Sequence, residues 1–399
     1  MKKYCVMPWI GLEVNNNGNL RPCCVYKDQI RDEQGKTFNI NNNTIEEYAN
    51  SKSMIELKEK LINGQEPWGC IKCYEEESLN VASLRQRKNK YYKDYITKSV
   101  EAVDLISVDL KLSNLCNQKC VICNTGASSL LASENKQILP ELNIDWNKTQ
   151  DLYHWYKKDE VWSELEAKTQ ATQHFDFFGG EPWLIKKQWE FLKHLIDSDR
   201  CKWVSLNYAT NGSIHDDAYF TEYFSKFRDV SILYSGDGIE NSFEYNRFPG
   251  KWETYKNNVL KAKKFQVDNS ISWMGVAYTV SAYSIHNVIE AMDFYTKNNV
   301  EVWFNMVNED ELCAGVLPDD VKKAIRKNIK EGWRSDFTTL DKNIDTAFFE
   351  QQLDREVSSN WKKVFVKKTN ARDKFRGVDF TKLIPMASLK EFLGRDASW

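Results

Sequence analysis

The chain has 399 residues, with Lys+Arg 55 against Asp+Glu 57 and a formal net charge of −2, a balance that argues against nucleic acid or an anionic membrane as its main partner. Gly 17, Pro 8 and 13% aromatic residues exclude a collagen-like or broadly disordered chain and leave a folded protein of two or three domains, or one large α/β unit with additions. The ten cysteines crowd into the first third of the chain, at positions 5, 23, 24, 70, 73, 116, 120 and 123, with only 201 and 313 beyond it. Such clustering favours metal binding inside the cell over a disulfide scaffold.

Residues 6–14 are predicted to form a strand, NNNG a turn, and Leu20 onward a return strand. SKSMIELKEKLING reads as a helix with Ser51 or Ser53 as N-cap and Gly64 as its stop. EPWGCIKC follows, then the charged segment LRQRKNKYYKDYITKS, read as a solvated linker or helix. From about residue 103 the pattern becomes ISVDLKLS, HFDFF, WVSLNYAT, VSILYSG, SWMGVAYTV and VEVWFNMV, separated by segments whose apolar residues recur at three and four. Strand and helix alternating in this way predict a parallel sheet, short of the eight repeats of a closed barrel. From Leu317 onward the chain reads as helical. The N-terminus is broken by Pro8 and Glu13 and does not read as a signal peptide. No run of about 18 apolar residues offers a membrane span, so the expected location is the cytoplasm.

The segment CNQKCVIC places Cys116, Cys120 and Cys123 directly after the first strand of the repeating region, where parallel α/β sheets hold their ligands. A structural zinc site needs four ligands, and no His or Cys follows within the next thirty residues. Three thiolates suit a cubane iron–sulfur cluster that keeps one iron open.

At these residues the sequence resembles the radical S-adenosylmethionine enzymes, whose signature is a three-cysteine loop of this spacing after the first strand of a partial (βα)6 barrel. FFGGEP after the second strand resembles the glycine-rich turn that contacts the methionyl amino group in that family, which implies cofactor contacts from Phe178, Gly179, Gly180 and Glu181. The resemblance also implies contacts from Thr210 and Asn211 in YATNGS, from Ser235 and Asp237 in YSGDG, and from Ile122 against adenine. The implied chemistry is reductive cleavage of S-adenosylmethionine at a 4Fe-4S cluster, followed by hydrogen abstraction from a substrate carbon by the 5'-deoxyadenosyl radical. A flavodoxin or ferredoxin is the implied electron donor.

Cys5, Gly18 and Cys23 with Cys70 and Cys73 resemble the start of the SPASM and twitch modules, which hold an auxiliary 4Fe-4S cluster. The adjacent Cys24 is a possible substitute for Cys23. The absence of cysteines in EEESLNVASLRQ fits the single-cluster twitch form. Here the module precedes the barrel, whereas the usual order puts it behind. The competing reading is a four-cysteine zinc ribbon in a binding protein without catalysis.

Cys201 and Cys313 read as buried small hydrophobes, and the five histidines show no ligand spacing. Trp146, Tyr153, Trp155, Tyr156 and Trp162, in the long segment from Gly126 to Gln170, read as packing residues ahead of a substrate cover. Arg247, in EYNRFPG, matches an arginine often found there in SPASM-type enzymes; a buried ion pair explains it almost as well. The expected organisation is an auxiliary-cluster domain at 1–85, a linker at 86–102, the partial barrel at 103–316 and a helical region at 317–399. The expected substrate is a peptide or protein, with a sugar or small metabolite as the alternative.

Overall fold

The computed structural model describes residues 3–101, 104–139 and 150–395. The chain forms two compact units: Met1–Leu115 with Asp145–Tyr208 and Glu222–Val230, and Cys116–Ile144 with Ala209–Thr221 and Ser231–Trp399. Trp146 lies outside the described residues.

The first unit carries β1 (Gly11–Val14), β2 (Leu20–Arg21), β3 (Ser107–Lys111), β4 (His174–Phe178) and most of β5 (Ser205–Thr210). β1 pairs antiparallel with β2 and parallel with β3, and the parallel pairing continues through β4 to β5. Register is set by alternation: on β4, Phe175 and Phe177 are fully buried while His174 and Asp176 turn to the other face. Phe175 meets Phe191 of the helix Lys186–Asp197 edge-on at 5.3 Å. Trp162, on the helix Asp159–Lys168, packs on Phe191 and on the fully buried Trp155. These aromatics of the long inserted segment therefore serve as core, as read from their spacing. Each such side chain contributes about 1.5–3 kcal/mol by leaving water.

The second unit carries most of β6 (Asp229–Ser235), then β7 (Trp273–Val280) and β8 (Glu301–Met306), all parallel. The helices Trp252–Val267 and Val288–Lys297 make the connections. The C-terminal region is helical, with Asp319–Gly332, Thr346–Leu353, Ser359–Arg376 and Ala387–Phe392. Tyr283 stacks on Phe365 at 5.1 Å and meets Phe380 edge-on at 5.0 Å, which anchors that region by aromatic burial. Cys201 and Cys313 are buried in their respective units, in keeping with their reading as small hydrophobes.

All six strands expected after residue 103 form, and the protein is a mixed α/β fold with parallel strands. One expectation fails near the N-terminus. The strand predicted over residues 6–14 begins as a helical turn, Met7–Ile10, and becomes extended only at Gly11. Pro8 sits in the first turn of that helix, where its fixed φ fits and its missing N–H costs nothing. The charged segment after residue 83 forms the helix Leu84–Tyr91, with Ser83 accepting from Gln86 N. Its Arg85 is buried, ion-paired with Glu77 and donating to the Tyr4 carbonyl oxygen at 2.7 Å.

Among the described residues no helix is long and apolar enough to cross a membrane.

Candidate cluster-binding site

The three-cysteine loop lies in the second unit, and its Cys116 directly follows Leu115, the last residue of the first unit's opening segment. Its backbone is clamped: Lys119 N donates to Phe248 O at 2.6 Å and Val121 N to Asn246 O at 2.9 Å. The Ser128 hydroxyl donates to the Gln118 carbonyl oxygen at 2.6 Å and caps the helix Ser129–Ile138 by accepting from Leu131 N. Cys116 and Cys120 are buried, and Cys123 is half-buried.

Two side chains point N–H groups at the thiol sulfurs. Asn211 donates to Cys116 Sγ at 3.8 Å, and Arg247 donates to Cys120 Sγ at 3.7 Å. Arg247 is also ion-paired with the fully buried Asp237 at 2.6 Å, and Asp237 accepts from Thr279 N at 2.8 Å. Burial pushes the Cys120 thiol up, against the pull of Arg247; the Cys123 thiol is pushed up to about 12 by burial and by Cys120 and Cys116. Thiols held like this, with Cys120 and Cys116 raising Cys123, suit a multivalent cation, whose positive charge favours the thiolates that the bare protein disfavours. The donor set fits a cluster held by thiolates, with N–H groups directed at the sulfurs.

The other expected cofactor contacts divide between the units. Ile122, Thr210, Asn211, Ser235 and Asp237 belong to the second, as does the cysteine loop; Phe178, Gly179, Gly180 and Glu181 belong to the first. Thr210 accepts from Gly212 N at 3.2 Å, and Ser235 lies at the end of β6 opposite Ala277 of β7. In the first unit the glycine turn is strapped to the segment leading into the cysteine loop. Gly180 N donates to Ser113 O at 2.7 Å and Glu181 N to Leu115 O at 2.8 Å. A Cβ at Gly180 would overlap the Leu115 carbonyl oxygen, so this close approach requires glycine. The Glu181 carboxylate is buried and accepts from Trp183 N.

The N-terminal cysteines lie in the first unit. Cys5 is pushed up to about 12 by burial, then by Cys73; Cys70 is pushed up to about 12 by burial, Cys5 and Cys73. Cys23 is raised by burial and by Cys5, with Cys24 and Cys70 contributing. Cys5, Cys23, Cys70 and Cys73 thus share one electrostatic neighbourhood. Cys24 is also pushed up to about 12, by burial and then by the carboxylates of Asp109 and Glu13, and it in turn helps to raise Cys23. Gly18, in the left-handed region at φ +82°, turns the chain between β1 and β2 and brings Cys23 back towards Cys5.

Sequence reasoning missed a support for the loop. Arg376, at the end of the helix Ser359–Arg376, donates to the Lys119 carbonyl oxygen at 2.6 Å and to Glu134 Oε1 at 2.6 Å. Lys119 Nζ lies 2.9 Å from Glu134 Oε2. No local pattern announces a contact between residues separated by 242 positions.

Residues 5–74 match the SPASM family model, an iron–sulfur cluster-binding domain. The match covers Cys5, Cys23, Cys70 and Cys73, the stretch on which the sequence resemblance rests. No curated protein matches the chain. Among solved structures it is similar to native anSMEcpe with bound AdoMet and Kp18Cys peptide, at 18% identity over 52% of each chain with TM-score 0.37. It is also similar to Streptococcus suis SuiB bound to precursor peptide SuiA, at 12% identity over 76% of this chain and 63% of that one, with TM-score 0.33. The chain spans about half the length of the first of these. Likeness at that level places no residue and no substrate in this chain.

Proposed function

We propose that this chain is a radical S-adenosylmethionine enzyme that modifies a peptide or protein, with Cys116, Cys120 and Cys123 as ligands of the catalytic 4Fe-4S cluster. The observation that carries this reading is the clamped three-thiol loop after β3, with N–H groups of Asn211 and Arg247 directed at two of its sulfurs. A cluster held there supplies the electron that cleaves S-adenosylmethionine to the 5'-deoxyadenosyl radical. The chain's own residues hold the loop in place, neutralise part of its charge through Arg247 and keep water from Cys116 and Cys120 by burial. The contacts assigned to S-adenosylmethionine are Ile122, Phe178, Gly179, Gly180, Glu181, Thr210, Asn211, Ser235 and Asp237.

Cys5, Cys23, Cys70 and Cys73 are the ligands of an auxiliary 4Fe-4S cluster in this reading, supported by the family match and by their shared neighbourhood. Four protein ligands leave no iron free, so electron transfer is its role, with a flavodoxin or ferredoxin as outside donor. Cys23 serves as the ligand on its spacing from Gly18, with Cys24 as the possible substitute. The division into an auxiliary segment at 1–85, a linker at 86–102, a core at 103–316 and a helical region at 317–399 belongs to the same proposal.

Peptide modification is favoured because it is common among enzymes carrying modules of this type. The test is isotopic. Deuterium from labelled candidate peptides appears in 5'-deoxyadenosine if the reading holds. Label arriving only from sugars or small metabolites overturns the peptide assignment.

A further inference from the structure

The helix Leu84–Tyr91 of the first unit has two unlike faces. Its inner face grips the N-terminal cysteines. Asn89 accepts from Val6 N at 2.8 Å and donates to the Tyr4 carbonyl oxygen at 2.8 Å, so one amide holds the backbone on both sides of Cys5. Arg85 adds a bond to the same Tyr4 oxygen at 2.7 Å, and its own backbone N–H donates to the Cys73 sulfur. The Arg85 guanidinium also lies over the ring of Tyr74, the neighbour of Cys73, 5.6 Å from its centre.

The outer face is basic. Arg87, Lys90 and Tyr91 are spaced at three and four and share it, and Lys93 follows in the next turn; all four are exposed. Between residues 84 and 98 the sequence has a single acidic residue, Asp94. Among the described residues that stretch makes one ion pair, the inward Arg85 with Glu77, so Arg87, Lys90 and Lys93 carry no carboxylate partner. Large apolar side chains stand beside these cations. Tyr91 is 67% exposed, and Arg87 Nη1 donates to the Ala82 carbonyl oxygen at 2.7 Å, which ties the segment carrying the exposed Leu79 and Val81 to this face. A solvated linker needs only the charge; apolar side chains grouped with unpaired charge mark a surface for a partner.

We propose that this face is the docking surface of the electron donor, a small acidic flavoprotein of the flavodoxin class, and that the electron for the auxiliary cluster enters there. The surface deepens the electron-transfer role and rests on that reading for its acceptor. An α-helix is about 10–12 Å across with its side chains, so a partner seated on the outer face stands one helix thickness from Cys5 and Cys73. The positive charge orients an acidic partner and raises its rate of encounter. Tyr91, Leu79 and Val81 supply apolar area that holds it. One electron leaves the reduced flavin and is taken up by the cluster, and no bond is made or broken.

The probe is a bacterial flavodoxin added to the reconstituted full chain, on a Cys120→Ala background that leaves the auxiliary cluster as acceptor. Reduced flavodoxin should bleach the iron–sulfur absorbance at a rate that falls as salt is added. Arg87→Glu, Lys90→Glu and Lys93→Glu combined should slow that bleaching about tenfold. Photoreduced deazaflavin, too small to need a docking surface, should bleach both proteins alike. A triple variant that flavodoxin reduces as fast as its parent overturns the proposal, and so does one slowed equally with both reductants. Calorimetry with oxidised flavodoxin and protein that keeps Cys120 gives a second reading: affinity should fall about tenfold in the triple variant, and unchanged affinity overturns the surface. Iron is counted beside them in Cys70→Ala with Cys73→Ala. If that protein loses no iron, the auxiliary-cluster reading fails, while the calorimetry still decides the surface.

Discussion

Arg247 stands between Asp237 and Cys120: its Nη2 lies 2.6 Å from the Asp237 carboxylate and its Nη1 donates to the Cys120 sulfur at 3.7 Å. Burial alone would lower the guanidinium pKa; Asp237 and the thiols more than offset this and keep it charged. Arg247→Met strands a fully buried carboxylate, and loss of one partner from such a pair costs about 3–5 kcal/mol. The expected result is a large fall in Tm together with loss of iron from the three-cysteine loop. Arg247→Lys keeps the charge but not the fork that reaches both partners, so it should keep most of the stability and less of the iron. Calorimetry and iron analysis on both variants check this.

The auxiliary assignment predicts a partition of metal. Cys70→Ala with Cys73→Ala should remove roughly half the iron of the reconstituted protein, since two clusters of equal size are expected. Cys24→Ala should leave iron unchanged, because Cys23 is the proposed ligand on its spacing from Gly18. If zinc is lost instead while iron stays constant, the N-terminal module is a zinc ribbon.

Close backbone approach makes Gly180 a sensitive position. Gly180→Ala drives a methyl group into the Leu115 carbonyl and the Asn114 backbone, immediately before Cys116. Gly377→Ala, at φ +66° with nothing within 4 Å of an added Cβ, meets only backbone strain. S-adenosylmethionine binding should therefore fall steeply in the first variant and stay near wild type in the second, as read by equilibrium dialysis.

Glu134 links the acid stability of the second unit to the cysteine loop. Burial raises its carboxyl, but hydrogen bonds and charges of Arg376 and Lys119 outweigh this and hold it below its ordinary value of 4.5. A depressed carboxyl stabilises the fold above its unfolded pKa, and that stability is lost as pH falls through the folded value. Glu134→Gln should thus lower stability at neutral pH, and its deficit against wild type should shrink as the pH drops below 4.5. Unfolding followed by circular dichroism across that range measures it; a deficit independent of pH would contradict the linkage.

These residues also mark what the sequence reveals and where it stops. The strands β3 to β8 were legible because alternation and apolar runs are local signals, and the cysteine loop because its ligands lie within eight residues of one another. The turn at Met7–Ile10 was misread because its apolar residues suit either state, and Pro8 favours a helix start. The pairing of β1 with β3 left no trace, since a four-residue strand buried on both faces carries no alternation. The pair Arg376 and Glu134 carries no local signal, because its members meet only in the fold.

The central claim is that the three-cysteine loop holds a cluster that cleaves S-adenosylmethionine. The most direct measurement is 5'-deoxyadenosine formation by anaerobically reconstituted protein with S-adenosylmethionine and dithionite, beside the variant Cys120→Ala. The account predicts a brown protein that forms 5'-deoxyadenosine and a variant that forms none. A colourless protein with stoichiometric zinc and no 5'-deoxyadenosine would contradict it.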